Sequence, residues 1–152
     1  MENYICINGK KAELTEEQMK ALGIELPKES PFKRVGYNRN YYFIDGYGDV
    51  RTEKDFDYTS DEQRFDVANY CTNKEIMKQR ALHETLNRLL WRYAMEHGGA
   101  GNFEIAWNGG KFIPQNCIWK YNGETFSTNK VAEDAINEII KPFMEAHPDF
   151  KW

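Results

Sequence analysis

Three times in 152 residues, a run of β-forming residues meets a turn dipeptide and is followed by a threonine heading an apolar-periodic stretch. That recurrence constrains the fold more than composition does. In the first copy Tyr4 to Ile7 reads as a strand, Asn8-Gly9 suits the positive φ angles of a type I′ turn, and Ala12 to Leu14 read as the return strand. Thr15 then opens Thr-Glu-Glu-Gln, a capping box in which Gln18 reaches back to the start of the helix, and Gly23 supplies a left-handed stop. The second copy runs from Tyr41 to Ile44, turns through Asp45 to Asp49 and returns over Val50 to Glu53. A polar loop over 54–61 and a short strand near Phe65 to Tyr70 are expected next. Thr72, with Glu75 three residues on, is then expected to cap a helix running to about Glu96 and stopped by Gly98-Gly99.

In the third copy, "NFEIAWNGGKFI" is a strand, a turn and a strand, and "CIWKYNGETF" reads as two further short strands. Thr128 caps a last helix carrying Val131, Ala132, Ala135, Ile136, Ile139 and Ile140 at helical spacing, which Pro142 should kink or end. The tripeptide Thr-Asn-Lys thus occurs twice, at 72–74 and 128–130, each time where a strand should give way to a helix. A capping side chain contributes ~1 kcal/mol, which is reason enough for the phrase to recur without any duplicated binding site. The expected class is α+β: antiparallel hairpins each followed by a helix. A hairpin–helix appendage occupies 1–26, and after the linker "LPKESP" the main domain covers 31–152 as two related units, 31–98 and 102–152.

A net charge of −4 suits neither a general nucleic-acid coat nor a polyanion. No apolar run approaches the ~18 residues of a membrane span and no charged-then-apolar leader is read, so no membrane partner is expected and the reading is cytosolic. Cys6, Cys71 and Cys117 are scattered and odd in number, which argues for reduced, buried thiols rather than a disulfide framework or a zinc site.

The charges are unevenly distributed. Asp45 to Asp66 holds eight acidic and three basic residues, whereas Lys74, Lys78, Arg80, Arg88 and Arg92 dominate the long helix. At 100° per residue Leu82, Leu86, Leu89, Leu90, Tyr93 and Ala94 share one arc, the expected core face. Lys74, Lys78, Arg88 and Arg92 form an adjoining stripe, and Met77, Trp91 and Met95 fall beyond it, outside the core arc. Trp, Met and Arg are enriched at protein interfaces, so Lys74, Lys78, Arg88, Trp91, Arg92 and Met95 form a candidate partner-binding face, which also suits a homodimer seam. Asp55, Asp57, Asp61 and Glu62 form a candidate acidic patch able to compete for a basic groove on a partner; the plainer reading is a solvated loop.

No motif for an enzyme is read. "HETLN" lacks the second histidine of a zincin helix, "HGGAGN" and "WNGGKF" are not phosphate loops, and "DGYGD" lacks the distal glutamate of a calcium loop. A Cys71 nucleophile would need a neighbouring base, and a buried structural role suits that residue better. No cofactor or metal is expected. Tyr37, Tyr41, Tyr42, Phe43 and Tyr47 lie near Lys33, Arg34 and Arg39, a mixture that suits base stacking with phosphate contacts and equally suits strand packing.

"PFKRVGYNRNYYFIDGYGDV", "ANYCTNKE" with its leucine-rich helix, and "AINEIIKPFMEAHPDFKW" resemble a widespread, largely uncharacterised group of small proteins encoded by phages and prophages of Gram-positive bacteria. The resemblance covers roughly residues 31–152 and implies an origin rather than a mechanism; it assigns no functional residue. The expectation it supports is a non-catalytic accessory protein that binds and inhibits a host protein or ribonucleoprotein in the bacterial cytosol. An anti-CRISPR-type inhibitor of a nuclease effector is one such protein. A sponge for a nucleotide immune signal and a nucleic-acid-binding module of phage recombination or replication are the alternatives.

Overall fold

The computed structural model describes residues 4–7, 10–23, 30–117 and 124–152. The expected turn at Asn8-Gly9 and most of the expected strand pair in "CIWKYNGETF" lie outside the described residues. Contacts gather into two units, Met1–Lys33 and Arg34–Trp152. The protein is α+β, built from antiparallel hairpins and helices.

In the smaller unit β1 (Tyr4–Ile7) pairs with β2 (Lys10–Glu13), so the return strand starts two residues earlier than the apolar pattern suggests. Helix α1 (Glu16–Ala21) opens with the expected reciprocal box. The Gln18 amide donates to the Thr15 hydroxyl at 3.2 Å, and the Thr15 amide donates to Gln18 Oε1 at 2.9 Å. Gly23 ends the unit's helix with φ +69°.

The larger unit begins with β3 (Asn40–Ile44) and β4 (Val50–Lys54), paired so that Tyr42 faces Thr52 and Ile44 faces Val50. Residues 59–66 then form helix α2 (Thr59–Asp66), not the loop and strand that the polar letters suggest. Its initiating signal is inverted: the cap position is Tyr58, which lacks a short polar side chain, while Asp61 in the first turn accepts the Tyr58 amide at 3.1 Å and the Phe56 amide at 3.0 Å. The stop is disguised as well. Ala68, not glycine, takes the left-handed conformation at φ +56°, and its carbonyl is held by the Arg80 guanidinium.

Helix α3 (Lys74–Glu96) is the longest element, and Asn73, not Thr72, caps it: the Asn73 side chain accepts the amides of Glu75 at 2.9 Å and Ile76 at 3.2 Å. Gly98 and Gly99, with φ +100° and +80°, end it as expected. Hairpin β5 (Phe103–Asn108) and β6 (Lys111–Asn116) turns through Gly109-Gly110. Helix α4 (Asn129–Ala135) is capped by Thr128, whose hydroxyl accepts the Val131 amide at 3.2 Å. The two Thr-Asn-Lys copies are therefore used one residue out of step, asparagine capping in the first and threonine in the second. What is conserved is geometry: the residue two before the cap forms a single antiparallel bridge to the preceding hairpin, Cys71 to Tyr42 and Phe126 to Phe103.

Pro142 does not end the last helix. The chain widens into a π-helical turn over Ile136–Ile140, in which the Lys141 amide donates to Ile136 oxygen, and continues as α5 (Lys141–Ala146). Proline lacks an amide and its ring clashes with the carbonyl four residues back, and a wider turn relieves both problems.

The main core joins Leu86, Leu90, Tyr93 and Ala94 of α3 to Phe126, Ala132, Ile136, Ile140, Phe143 and Phe150, with Leu82 and Leu89 at its border. This is the arc expected from periodicity. A second, smaller core joins Ile44 and Cys71 to Met77 and Ala81 on another face of the same helix. Between α3 and α4 the backbone approaches itself so closely that a Cβ on Gly101 would lie 2.3 Å from the Phe126 carbonyl oxygen and 2.6 Å from Ser127 Cα. Gly101→Ala is accordingly expected to lower stability by about 3 kcal/mol in urea unfolding, whereas Asn73→Ala, which removes a cap, should cost ~1 kcal/mol.

Candidate interaction face

The six residues of the expected binding face are all exposed but lie in two separate places along α3, and Met77, read with Trp91 and Met95 as outside the core arc, is interior. Met77 is 1% exposed and packs with Ile44, Cys71 and Ala81, so it is core, contrary to its place outside the leucine arc. Met95 follows it by eighteen residues, five full helical turns, and so points the same way. Yet Met95 is 44% exposed and its neighbour Trp91 is 53% exposed. Hairpin β3–β4 covers this side of α3 only at its N-terminal half. Arg92 is exposed beside Trp91 and has no ion-pair partner among the described residues. Arg88 reaches Glu84 at 3.4 Å, and Arg80 holds the same carboxylate at 2.8 Å.

Lys74 and Lys78 lie at the other, N-terminal end of the helix. With Ala81 and Thr85 they form one wall of a groove of about 470 Å³ whose other wall is Gly48 to Arg51 at the start of β4. Lys78 lies 3.5 Å from Glu75, and Lys74 has no ion-pair partner among the described residues. The turn is seated on the helix: a Cβ on Gly48 would stand 3.6 Å from Thr85 Oγ1 and 3.9 Å from Arg88. Arg51, at the groove's rim, is folded back onto Asp45 at 2.7 Å and Asp49 at 3.1 Å.

The acidic patch is not a solvated loop. Asp55 and Asp61 are buried, and each is the centre of a satisfied polar cluster. Asp55 receives a two-pronged contact from Arg34 (2.9 and 3.1 Å), the Tyr70 hydroxyl at 2.8 Å and the Asp57 amide at 2.9 Å. Asp61 receives the Tyr41 hydroxyl at 2.6 Å besides the two amides of the α2 start. Tyr41 and Tyr70 stack with ring centroids 4.1 Å apart, and Arg64 lies 3.8 Å over the Phe43 ring while bonding Tyr41 and Glu53. Asp57 and Glu62 are exposed, and both lean on Arg34, at 3.1 and 4.0 Å. Two of the four acidic residues are thus consumed inside the fold, by side chains 15 to 21 residues away in sequence.

The aromatic set does not gather into a stacking platform either. Tyr41 is fully buried, Phe43 is covered by Arg64, and Tyr37 and Tyr47 are exposed, Tyr37 with its ring against Phe56. Cys71 and Cys117 are buried, and Cys71 Sγ accepts the Asn73 amide at 3.4 Å. Among the described residues no group of three or more His, Cys, Asp or Glu is placed to hold a metal ion, and no helix is long and apolar enough to cross a membrane.

The charges of the polar cluster set its pH response. The Arg34 hydrogen bond, helped by Asp57 and Tyr70 and opposed by burial, holds the Asp55 carboxyl down at about 2. Burial opposes ionisation of Asp61 too, but the bonds from Tyr41 and the two amides outweigh it and hold this carboxyl below its usual range. Tyr41, buried and bonded to Asp61, is pushed up to about 12. A carboxyl whose folded pKa is depressed stabilises the fold fully above its unfolded value, ~3.9, and loses that contribution as pH falls through the folded one. Melting temperature should therefore hold steady from pH 7 to 5 and drop between roughly pH 4 and 2. Asp55→Asn, which leaves Arg34 without its carboxylate, should cost about 3 kcal/mol at pH 7 and flatten that acid slope.

No protein-family model, no curated protein and no solved structure matches this chain. The fold and the face define an α+β protein of hairpin–helix units that presents a tryptophan-bearing basic helix.

Proposed function

We propose that the protein is a non-catalytic accessory protein of phage origin that binds and inhibits a host protein or ribonucleoprotein, with anti-CRISPR-type inhibition of a nuclease effector as the specific form. One observation carries the binding role: Trp91 and Met95 stand out from a 23-residue helix beside Arg92, which has no ion-pair partner among the described residues. A large aromatic ring, a flexible thioether and a guanidinium on one helix make the usual composition of an interface hot spot. Water-exposed Trp and Met gain free energy by burial, and the helix cannot bury them itself because its core arc is already filled. Charge adds direction, since Arg92 and Arg88 select a partner surface carrying carboxylates or phosphates. The phage origin and the counter-defence role rest on the resemblance over residues 31–152 and on analogy with other small phage proteins.

The test is co-elution of the purified protein with a purified nuclease effector complex on size exclusion, alongside inhibition of cleavage. Trp91→Ala combined with Arg92→Glu should weaken the complex by at least ~100-fold, as loss of one hot-spot aromatic and a charge reversal together imply. A complex that tolerates both changes would remove this face from the interface.

A further inference from the structure

The groove between the start of β4 and α3 leads, at Val50 and Arg51, onto a strand edge that is open among the described residues. Tyr42 exchanges both backbone hydrogen bonds with Cys71, at 2.7 and 3.0 Å, so its backbone groups point away from β4. Its partner in register is Thr52, whose amide and carbonyl must then point away from β3. The alternation puts Val50 and Lys54 in the same position. It is framed at both ends by bonds facing the other way, from the Asp45 amide to Asp49 oxygen and from the Asp55 amide to Arg39 oxygen, each at 2.9 Å. Outside the hairpin's own ladder, no backbone hydrogen bond reaches Val50, Thr52 or Lys54 among the described residues.

Exposed edges are usually blunted by their own side chains. Here those side chains are folded away: Arg51 lies on Asp45 and Asp49, Glu53 on Arg64, and Lys54 on Asn38 at 3.1 Å. The helix wall of the groove carries Lys74 and Lys78.

We infer that the β4 edge is a docking site for an extended acidic peptide segment of a partner, which adds as a third strand beside β4 and sets its helix-side carboxylates against Lys74 and Lys78. An added strand lies ~4.8 Å from β4 and sends every second side chain toward the helix. The edge alternates donors with acceptors, which matches a peptide backbone. A phosphodiester offers acceptors alone and leaves the Val50, Thr52 and Lys54 carbonyls unmet. The site is separate from the Trp91 face and stands whether or not that face binds a nuclease.

The full-length protein is titrated into three fluorescent probes: a heptapeptide alternating glutamate with valine, its lysine–valine counterpart, and a six-nucleotide oligothymidylate. The glutamate peptide should bind at least ~10-fold tighter than the lysine peptide and the oligonucleotide, and weaken as salt rises. Lys74→Glu with Lys78→Glu should weaken it at least ~10-fold, and Thr52→Pro should abolish binding while leaving the fold, because that amide lies outside the β3 ladder. In the unaltered protein the amide NMR signals of Val50, Thr52 and Lys54 should shift on binding, and Trp91→Ala should change nothing. No binding of the glutamate peptide overturns the inference. So does binding indifferent to the two lysines and to Thr52, or a preference for the oligonucleotide.

Discussion

The larger unit is organised by two stacked tyrosines that end on two buried carboxylates. Tyr70 points its hydroxyl at Asp55 and Tyr41 points its own at Asp61, while Arg34 and Arg64 close the two ends. Taking two carboxylates out of water costs several kcal/mol each, and only complete satisfaction offsets that. Completeness is what the cluster has: among the described residues no buried side-chain nitrogen or oxygen lacks a partner. Three elements are fixed through it. Asp61 sets the start of α2, Tyr41 is a residue of β3, and Tyr70 precedes Cys71, whose bridge to Tyr42 aims the chain into α3. The Val35 amide, donating to the Tyr70 hydroxyl at 3.1 Å, brings the segment before β3 into the same arrangement.

Local grammar was legible wherever the signal and the structure use the same residue. The hairpins over 40–54 and 103–116 follow from β-forming runs around Gly-rich turns, and the capping box at Thr15 and the cap at Thr128 form as written. Helix α2 was not legible, because its cap is a tyrosine, its left-handed stop is an alanine, and the contact that starts it comes from within the helix. The first Thr-Asn-Lys copy shows how narrow the margin is. Asparagine and threonine are both good caps, and which one serves depends on where the bridge to the hairpin falls.

The site was half legible for a related reason. Counting charges finds a basic helix and an acidic stretch but not the arginines that reach Asp55 from 21 residues upstream and Glu53 from eleven downstream. Those pairings turn an apparent acidic surface into interior structure. Helical periodicity likewise reports the dominant core face of α3 but not a second, shorter one. Met77 and Met95 are equivalent by angle and opposite in fate, since only tertiary packing distinguishes them.

That difference has a geometric origin. A helix of 23 residues is about 35 Å long, whereas a strand of five residues spans about 17 Å. One short hairpin cannot shield the full length of so long a helix. The opposite side is covered further along, because α4, the π-helical turn and α5 contribute Ala132, Ile136, Ile140 and Phe143 to the leucine arc. On the hairpin side nothing among the described residues extends the cover, and Trp91 and Met95 lie in the gap. An isolated apolar side chain on a surface needs no explanation, but a tryptophan and a methionine one turn apart, flanked by arginines, occupy a strip of the helix that the described residues leave uncovered. The same hairpin has only two strands, so β4 has no neighbour on its outer side among the described residues, and this open edge is a second uncovered surface beside the bare strip of α3.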